Sequence, residues 1–245
     1  MTKMIKMDLY RFFHSASTWT ILFVDISLAF LSVMLVSANK SIQIYSNAGE
    51  LLAAQINGGM IMILCAVAVI IFVSAPYKNG FIKNIANQLP RREMLVLPEI
   101  VVSFVACALH FFAYSICTIT AGAIFFGNTC FNFSFFAIIE LLIVQFILHY
   151  AFCCLMLLFY ILTNSTAFTM VAGLLIAFKF LNGLYVLIEH FTYLQINQFM
   201  LDSNIFQIGM YSAKSVSATA VIVGLIFLLS ETILLCMVMG KKEIQ

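Results

Sequence analysis

The residues of this sequence best able to do chemistry are four charged side chains that fall inside long apolar segments, Asp25, Glu140, Lys179 and Glu231. A charge near the middle of a membrane span costs about 2.5–3.5 kcal/mol on insertion scales, so it normally has a partner or faces a water-filled cavity. A rise of about 1.5 Å per residue puts Lys179 and Glu140 at similar depths, which predicts an ion pair between them. Such a pair could fix helix packing or contact a substrate, and the sequence leaves both interpretations open.

Two histidines, His110 and His149, also fall near the middle of apolar segments. Two histidines on neighbouring helices can in principle bind a metal or relay protons. Buried, hydrogen-bonded histidines are the commoner outcome at such positions. The sequence has no G-x-x-x-x-G-K-[ST] phosphate loop and no compact set of acid, base and nucleophile, so we expect no enzyme, cofactor or metal site in this chain.

The elements that position these residues follow from composition. The chain has 245 residues, of which 64% are hydrophobic and 9% charged, and its mean hydropathy is +1.09, far outside the range of soluble domains. Its apolar runs of about twenty residues or more are long enough to cross a hydrocarbon core of roughly 30 Å as helices. The alternation of polar and apolar residues typical of barrel strands is missing from the sequence. We therefore predict an all-α polytopic membrane protein with a single transmembrane domain, residues 1–245.

Six membrane spans are expected, preceded by an amphipathic helix over residues 1–14 at the membrane surface. The polar connection at residues 189–214 predicts short helices against the outer membrane face. Gly58-Gly59 predicts a close helix contact inside the second span. The predicted spans cover about residues 18–37, 51–75, 94–126, 135–162, 166–188 and 215–240.

Basic residues lie mostly on one side of this arrangement. Nine of the twelve Lys and Arg residues fall there, whereas Lys40 and Lys214 fall on the other side and Lys179 falls within the fifth span. Because short loops rich in Lys and Arg stay in the cytoplasm, both termini are expected to be cytoplasmic. The net charge of +2 is too small to favour nucleic acid as a partner.

The loop between spans two and three, residues 76–98, holds four of the twelve basic residues and all three prolines. Its apolar residues recur with helical spacing and its other positions are polar, which predicts one amphipathic helix over residues 77–89, ending just before a proline. Such a helix either lies on the lipid headgroups or docks a cytosolic partner. The apolar positions are Phe81, Ile82, Ile85 and Leu89.

The order of these elements and two local motifs resemble the membrane subunit of a type 2 ABC exporter, an ABC-2 permease. The first motif is Lys6, Asp8 and Arg11 ahead of the first span. At Glu99, seven residues after the loop arginine Arg92, the family often has a lysine, so the chain departs from the pattern there. The second motif is similar to the Y-x-N-G-x-I-K-N stretch in small permeases of bacterial bacteriocin- and lantibiotic-immunity and peptide or drug exporters. It comprises Tyr77, Lys78, Asn79, Gly80, Phe81, Ile82, Lys83, Asn84 and Ile85.

The resemblance implies that this second motif belongs to a cytoplasmic coupling helix, residues 77–89, which docks into a groove of a cytosolic ABC ATPase. ATP and magnesium would then bind the partner ATPase. Two copies of the chain, or this chain and a related permease, would enclose an apolar and aromatic pathway in the plasma membrane of a bacterium. The implied function is export of an amphipathic or hydrophobic cargo, such as a peptide, bacteriocin or drug, out of the cell or the membrane.

A second hypothesis comes from the intramembrane charges. Asp25, Glu140, Lys179 and Glu231 could serve a proton-coupled secondary transporter, or the chain could be an accessory membrane subunit without a pathway. Many secondary transporters contain inverted repeats. Residues 1–120 and 121–245 show no such repeat, which slightly disfavours the transporter.

Overall fold

The helices of this protein follow its long apolar segments. A computed structural model describes residues 2–38, 45, 47–86, 89, 91–127 and 134–241, except for the side chains of residues 83, 84 and 86. Within these ranges the regular structure is entirely helical. Five helices there are long and apolar enough to cross a membrane, and a bent pair of shorter helices makes a sixth candidate span. The predicted all-α polytopic membrane fold is therefore confirmed.

The helices begin and end close to the predicted limits for most spans, while the second and fifth spans are divided. Two short 3₁₀ turns, Arg92–Leu95 and Asn197–Phe199, complete the regular structure of the described ranges. The helices are α1 Thr2–His14, α2 Ala16–Ala38, α3 Ala48–Asn57, α4 Met60–Lys78, α5 Phe81–Ala86, α6 Val96–Phe126, α7 Phe135–Thr163, α8 Thr166–Ala177, α9 Asn182–Thr192, α10 Leu201–Gln207 and α11 Lys214–Lys241.

The centre of the bundle is formed by α4, α6 and α7, which supply most of the buried apolar residues. The first span, α2, packs on α6, and the last, α11, packs on α7. Only 17% of the most apolar stretch of α2 and 22% of that of α11 is buried, against 67% for α7. Their remaining apolar surfaces are compatible with contact with lipid.

The two ends of the bundle differ in composition. The end of the bundle that carries Arg11, Lys78, Arg91, Arg92 and Lys241 is called the basic end below. The opposite end is formed by α3, α9, α10 and the 3₁₀ turn Asn197–Phe199. Short helical elements thus occur within residues 189–214 as predicted, and their position against the outer membrane face stays a prediction.

The second span was predicted as one helix over residues 51–75, and this is wrong, because the chain breaks between α3 and α4 at Gly58-Gly59. Gly59 has φ +77°, a left-handed conformation that favours glycine. A Cβ atom on Gly59 would lie 2.5 Å from the carbonyl oxygen of Ala177. The predicted close helix contact is therefore present, and α8 is its partner.

The fifth span was predicted as one helix over residues 166–188, and this is also wrong. Helices α8 and α9 meet at a break over residues 178–181 and are bent by 64° relative to each other. Lys179 lies in this break with φ +60°. The two helices together still meet the length and hydropathy expected of one span, so these two quantities do not reveal the break.

Candidate functional site

The candidate docking segment at the basic end is a helix, a turn and a second short helix, so the predicted single helix over residues 77–89 is wrong. Tyr77 and Lys78 form the last turn of α4, and Asn79-Gly80 forms the turn before α5. Gly80 has φ +68°, whereas an added Cβ atom would meet nothing within 4 Å. Glycine is thus favoured there by backbone conformation alone. Residues 87, 88 and 90 lie outside the described residues.

The apolar face of α5 packs against protein. Ile82 is 7% exposed and belongs to the main core, and Ile85 and Leu89 pack against that core. Ile82 also lines a small cavity of about 20 Å³ together with Met4 of α1 and Val102 of α6. The side of this segment formed by Ile82, Ile85 and Leu89 is therefore packed against the bundle, which weakens the reason for it to lie on lipid headgroups.

Arg11 joins the two sequence motifs. Its Nη1 donates to Asp8 Oδ1 at 2.8 Å. Its guanidinium carbon lies 5.3 Å from the ring centroid of Phe72 on α4 and 5.5 Å from that of Phe81 on α5, within reach of a cation–π interaction. Burial raises the pKa of Asp8, although the charge and hydrogen bond of Arg11 act in the opposite direction. α1 and α5 are thus held together by one charged side chain.

Tyr77 points into the bundle. Its hydroxyl donates to Glu99 Oε1 on α6 at 2.6 Å, and its ring packs edge-on against Tyr160 of α7 at 5.6 Å between centroids. The hydroxyl also lies 3.8 Å from Met239 Sδ on α11. The departure from the family pattern at Glu99 has a local role here, because the acid accepts this hydrogen bond, which a lysine could not accept.

Three residues of the Tyr77–Ile85 motif lie on the surface of the bundle. Lys78 and Asn79 are exposed, and Phe81 is 36% exposed. Lys78 Nζ donates to Thr166 Oγ1 at the start of α8, at 3.3 Å. Lys78, Asn79 and Phe81 are called the outward face below. The side chains of Lys83 and Asn84 lie outside the described residues.

Asp25 and Glu231 are buried between helices. Asp25 Oδ2 is in hydrogen-bonding contact with His110 Nδ1, which links α2 to α6. Glu231 on α11 is 2% exposed and lies near Cys154 of α7. Its carboxylate has no hydrogen-bond partner in the described part of the chain. These two carboxylates therefore occupy different helix interfaces.

The predicted ion pair between Lys179 and Glu140 is wrong. Lys179 Nζ lies 4.1 Å from the ring centroid of Phe206 on α10, and Lys179 lines a cavity with Asp202. Glu140 is exposed and lines a separate cavity beside Ser217. The depth count assumed straight helices, whereas the break after α8 places Lys179 beside α10.

A buried amide cluster was missed by the sequence reasoning. Gln145 Nε2 donates to Asn57 Oδ1 at 2.7 Å and to the carbonyl oxygen of Ile205 at 2.9 Å, which ties α7 to α3 and α10. His149 Nδ1 contacts the carbonyl oxygen of Gln145 at 2.7 Å. The sequence signals that could have indicated this cluster are Gln145, a lone glutamine in an apolar span, and Asn57, which lies just before Gly58. No group of three or more His, Cys, Asp or Glu residues suited to a metal occurs in the described part of the chain.

Comparison with known proteins identifies no relative of this chain. No family model matches this chain, and no curated protein matches it significantly. The resemblance to ABC-2 permeases therefore rests on the order of the helices and on the two motifs that Arg11 brings together.

Proposed function

We propose that this chain is the permease subunit of an ATP-driven ABC exporter, which works with separate ATPase subunits to move an amphipathic or hydrophobic cargo, such as a peptide, bacteriocin or drug, out of the cell or membrane. The supporting observation is the set of contacts made by the turn between α4 and α5. The residues that flank this turn contact α1 through Phe81, α6 and α7 through Tyr77, and α8 through Lys78. A displacement of the turn would therefore act on four other helices.

Such a turn suits the receipt of motion from another protein. Closure of an ATPase pair can be passed to packed helices as a rigid-body movement. The outward face leaves Lys78 and Asn79 exposed at the basic end, where a cytosolic partner would dock if that end is cytoplasmic. Because the sequence has no phosphate loop, ATP and magnesium would bind the partner. A second copy or a related permease would complete the pathway in the bacterial plasma membrane.

The second candidate function is proton-coupled transport. It is favoured by the buried Asp25–His110 contact and by the buried Glu231. Proton transfer through side chains needs a connected series of groups, whereas Glu140 and Lys179 line separate cavities. The four predicted charged residues thus do not form one relay, and the ATP-driven exporter is the better supported function.

Reconstitution into proteoliposomes distinguishes the two functions. The chain would be incorporated with a candidate ATPase encoded by a neighbouring gene, and release of a fluorescent amphipathic peptide would be followed. We expect transport that requires ATP and magnesium, persists with a protonophore and stops when the ATPase carries an inactive phosphate loop. Transport that needs no ATPase and collapses with the proton gradient would support the secondary transporter and contradict the exporter.

A further inference from the structure

A polar cavity lies at the break of the fifth span, away from the outward face. It is lined by Lys179 in the break, by Asn182 of α9, and by Asp202, Ser203 and Gln207 of α10. With 12 residues, α8 rises about 18 Å from the basic end, so the break lies beyond the middle of a core of roughly 30 Å. Because α9 is bent by 64° relative to α8, its 11 residues extend only about 7 Å further along the axis of α8. The cavity therefore lies toward the opposite membrane surface.

The cavity has one cationic wall. Lys179 adopts φ +60°, which is uncommon for a residue with a side chain and is found mostly where the surroundings or a function demand it. Its ammonium group lies 4.1 Å from the ring centroid of Phe206. An aromatic face holds a cation without neutralising it, so the charge of Lys179 remains available to an anion.

The other wall carries a carboxyl group, that of Asp202. Asp202 is only 4% exposed and accepts a hydrogen bond from the Tyr185 hydroxyl at 3.3 Å. Burial raises its pKa, while hydrogen bonds and the charge of Lys179 act in the opposite direction. Lys179 and Asp202 form no ion pair within the described ranges, and both line one cavity of about 130 Å³. A cavity of about 150 Å³ holds a benzene molecule in an engineered protein, so this one has room for a small dipolar group.

The surface next to the cavity is apolar. Along α9, Leu184, Leu187 and Phe191 are 55%, 54% and 74% exposed, and their spacing puts them on one face of the helix. α9 contains no buried residue. An oblique amphipathic helix close to the membrane surface presents such a face to acyl chains. The cavity is thus a polar recess bordered by a surface suited to lipid.

We propose that the cavity between Lys179 and Asp202 binds the headgroup of a zwitterionic phospholipid, with the phosphate on Lys179, the ammonium group on Asp202, and an acyl chain along the exposed face of α9. The opposite charges on the two walls match the phosphate and the amine of a phosphoethanolamine headgroup. An anionic phospholipid would satisfy Lys179 but would place no cation beside Asp202. This site goes beyond the proposed export function and does not depend on an ATPase.

Native mass spectrometry of the purified full chain tests the site. Wild type would be titrated with phosphatidylethanolamine and with phosphatidylglycerol of the same acyl chains, beside Lys179→Gln, Asp202→Asn and the control Lys214→Gln, an exposed lysine at the same end. We expect tighter binding of phosphatidylethanolamine, a roughly tenfold loss in Lys179→Gln, loss of the preference in Asp202→Asn, and no change in Lys214→Gln.

Two results would overturn the proposal. One is equal affinity for the two lipids in wild type, and the other is unchanged binding in Lys179→Gln, whose substitution lies in an exposed turn and needs no repacking of the core. Soluble phosphoethanolamine serves as a competitor. Weak competition by soluble phosphoethanolamine supports a lipid ligand. Tight binding of phosphoethanolamine without binding of the lipid would assign the cavity to a free metabolite and contradict the lipid site.

Discussion

The basic end and the opposite end of the bundle differ in the surroundings of their charged side chains. At the basic end Arg11 is paired with Asp8 and stacked between Phe72 and Phe81, around a cavity of about 20 Å³. At the opposite end Lys179 and Asp202 line one cavity of about 130 Å³. Close packing transmits displacement, whereas a polar cavity can accept a ligand. The comparison therefore supports a division into a docking end and a binding end.

Gly59 and Gly80, two of the glycines with positive φ, give the largest expected difference between the ends. In Gly59→Ala the new Cβ atom would meet the Ala177 carbonyl at 2.5 Å in addition to a strained φ, whereas in Gly80→Ala only the φ is unfavourable. We expect a loss of about 3–5 kcal/mol of unfolding free energy for Gly59→Ala and about 1–2 kcal/mol for Gly80→Ala. Thermal unfolding in the same detergent measures both. Equal losses would show that the contact between α8 and Gly59 is not rigid.

Removal of the amide cluster tests how the opposite end is held. Gln145→Leu deletes the hydrogen bonds to Asn57 and to the carbonyl of Ile205 and leaves those buried groups unsatisfied. We expect a loss of about 2 kcal/mol, together with faster amide hydrogen exchange in α3 and α10. Exchange in α1 and α5 should not change and serves as the internal control. Faster exchange at both ends would instead indicate general unfolding.

Arg11→Gln should have a smaller effect on stability and a specific effect on the basic end. It removes the ion pair with Asp8 and both aromatic contacts, which together stabilise by about 1 kcal/mol. Ile82 of α5, which is 7% exposed, should then become more accessible, and a cysteine at position 82, which keeps the Phe81 ring in place, would report this by faster thiol labelling. Lys3→Gln, an exposed basic residue on the same helix, is the matched control. An unchanged labelling rate would show that Arg11 does not hold α5.

The smallest expected effect is the pH dependence of Asp8. Because burial raises its pKa in the folded protein, its contribution to stability is present below its usual pKa and is lost as pH rises through the raised value. Wild type should therefore gain stability relative to Asp8→Asn on acidification, by less than about 1 kcal/mol since the site is partly exposed. Parallel unfolding curves at several pH values measure this difference. A relative loss on acidification would mean that the pairing with Arg11 outweighs burial.

The spans could be predicted from sequence because their length and apolar character are direct consequences of the membrane core. The predicted limits 18–37 and 135–162 lie within two residues of the ends of α2 and α7. The breaks at Gly59 and Lys179 could not be predicted from sequence, because both depend on how the two divided spans pack against each other. The inward position of Tyr77 likewise needs Glu99, which lies 22 residues further along the chain. The two motifs were found from sequence, whereas their contact through Arg11 was not.

The most direct test of the docking end is co-purification with the candidate ATPase. The double variant Lys78→Glu with Asn79→Glu reverses the charge of the outward face without touching the buried Ile82, and Lys214→Glu at the opposite end is the matched control. The account predicts at least about a tenfold loss of the ATPase for the double variant at unchanged thermal stability, and full retention for the control. Retention of the ATPase by a folded double variant would contradict docking at this face.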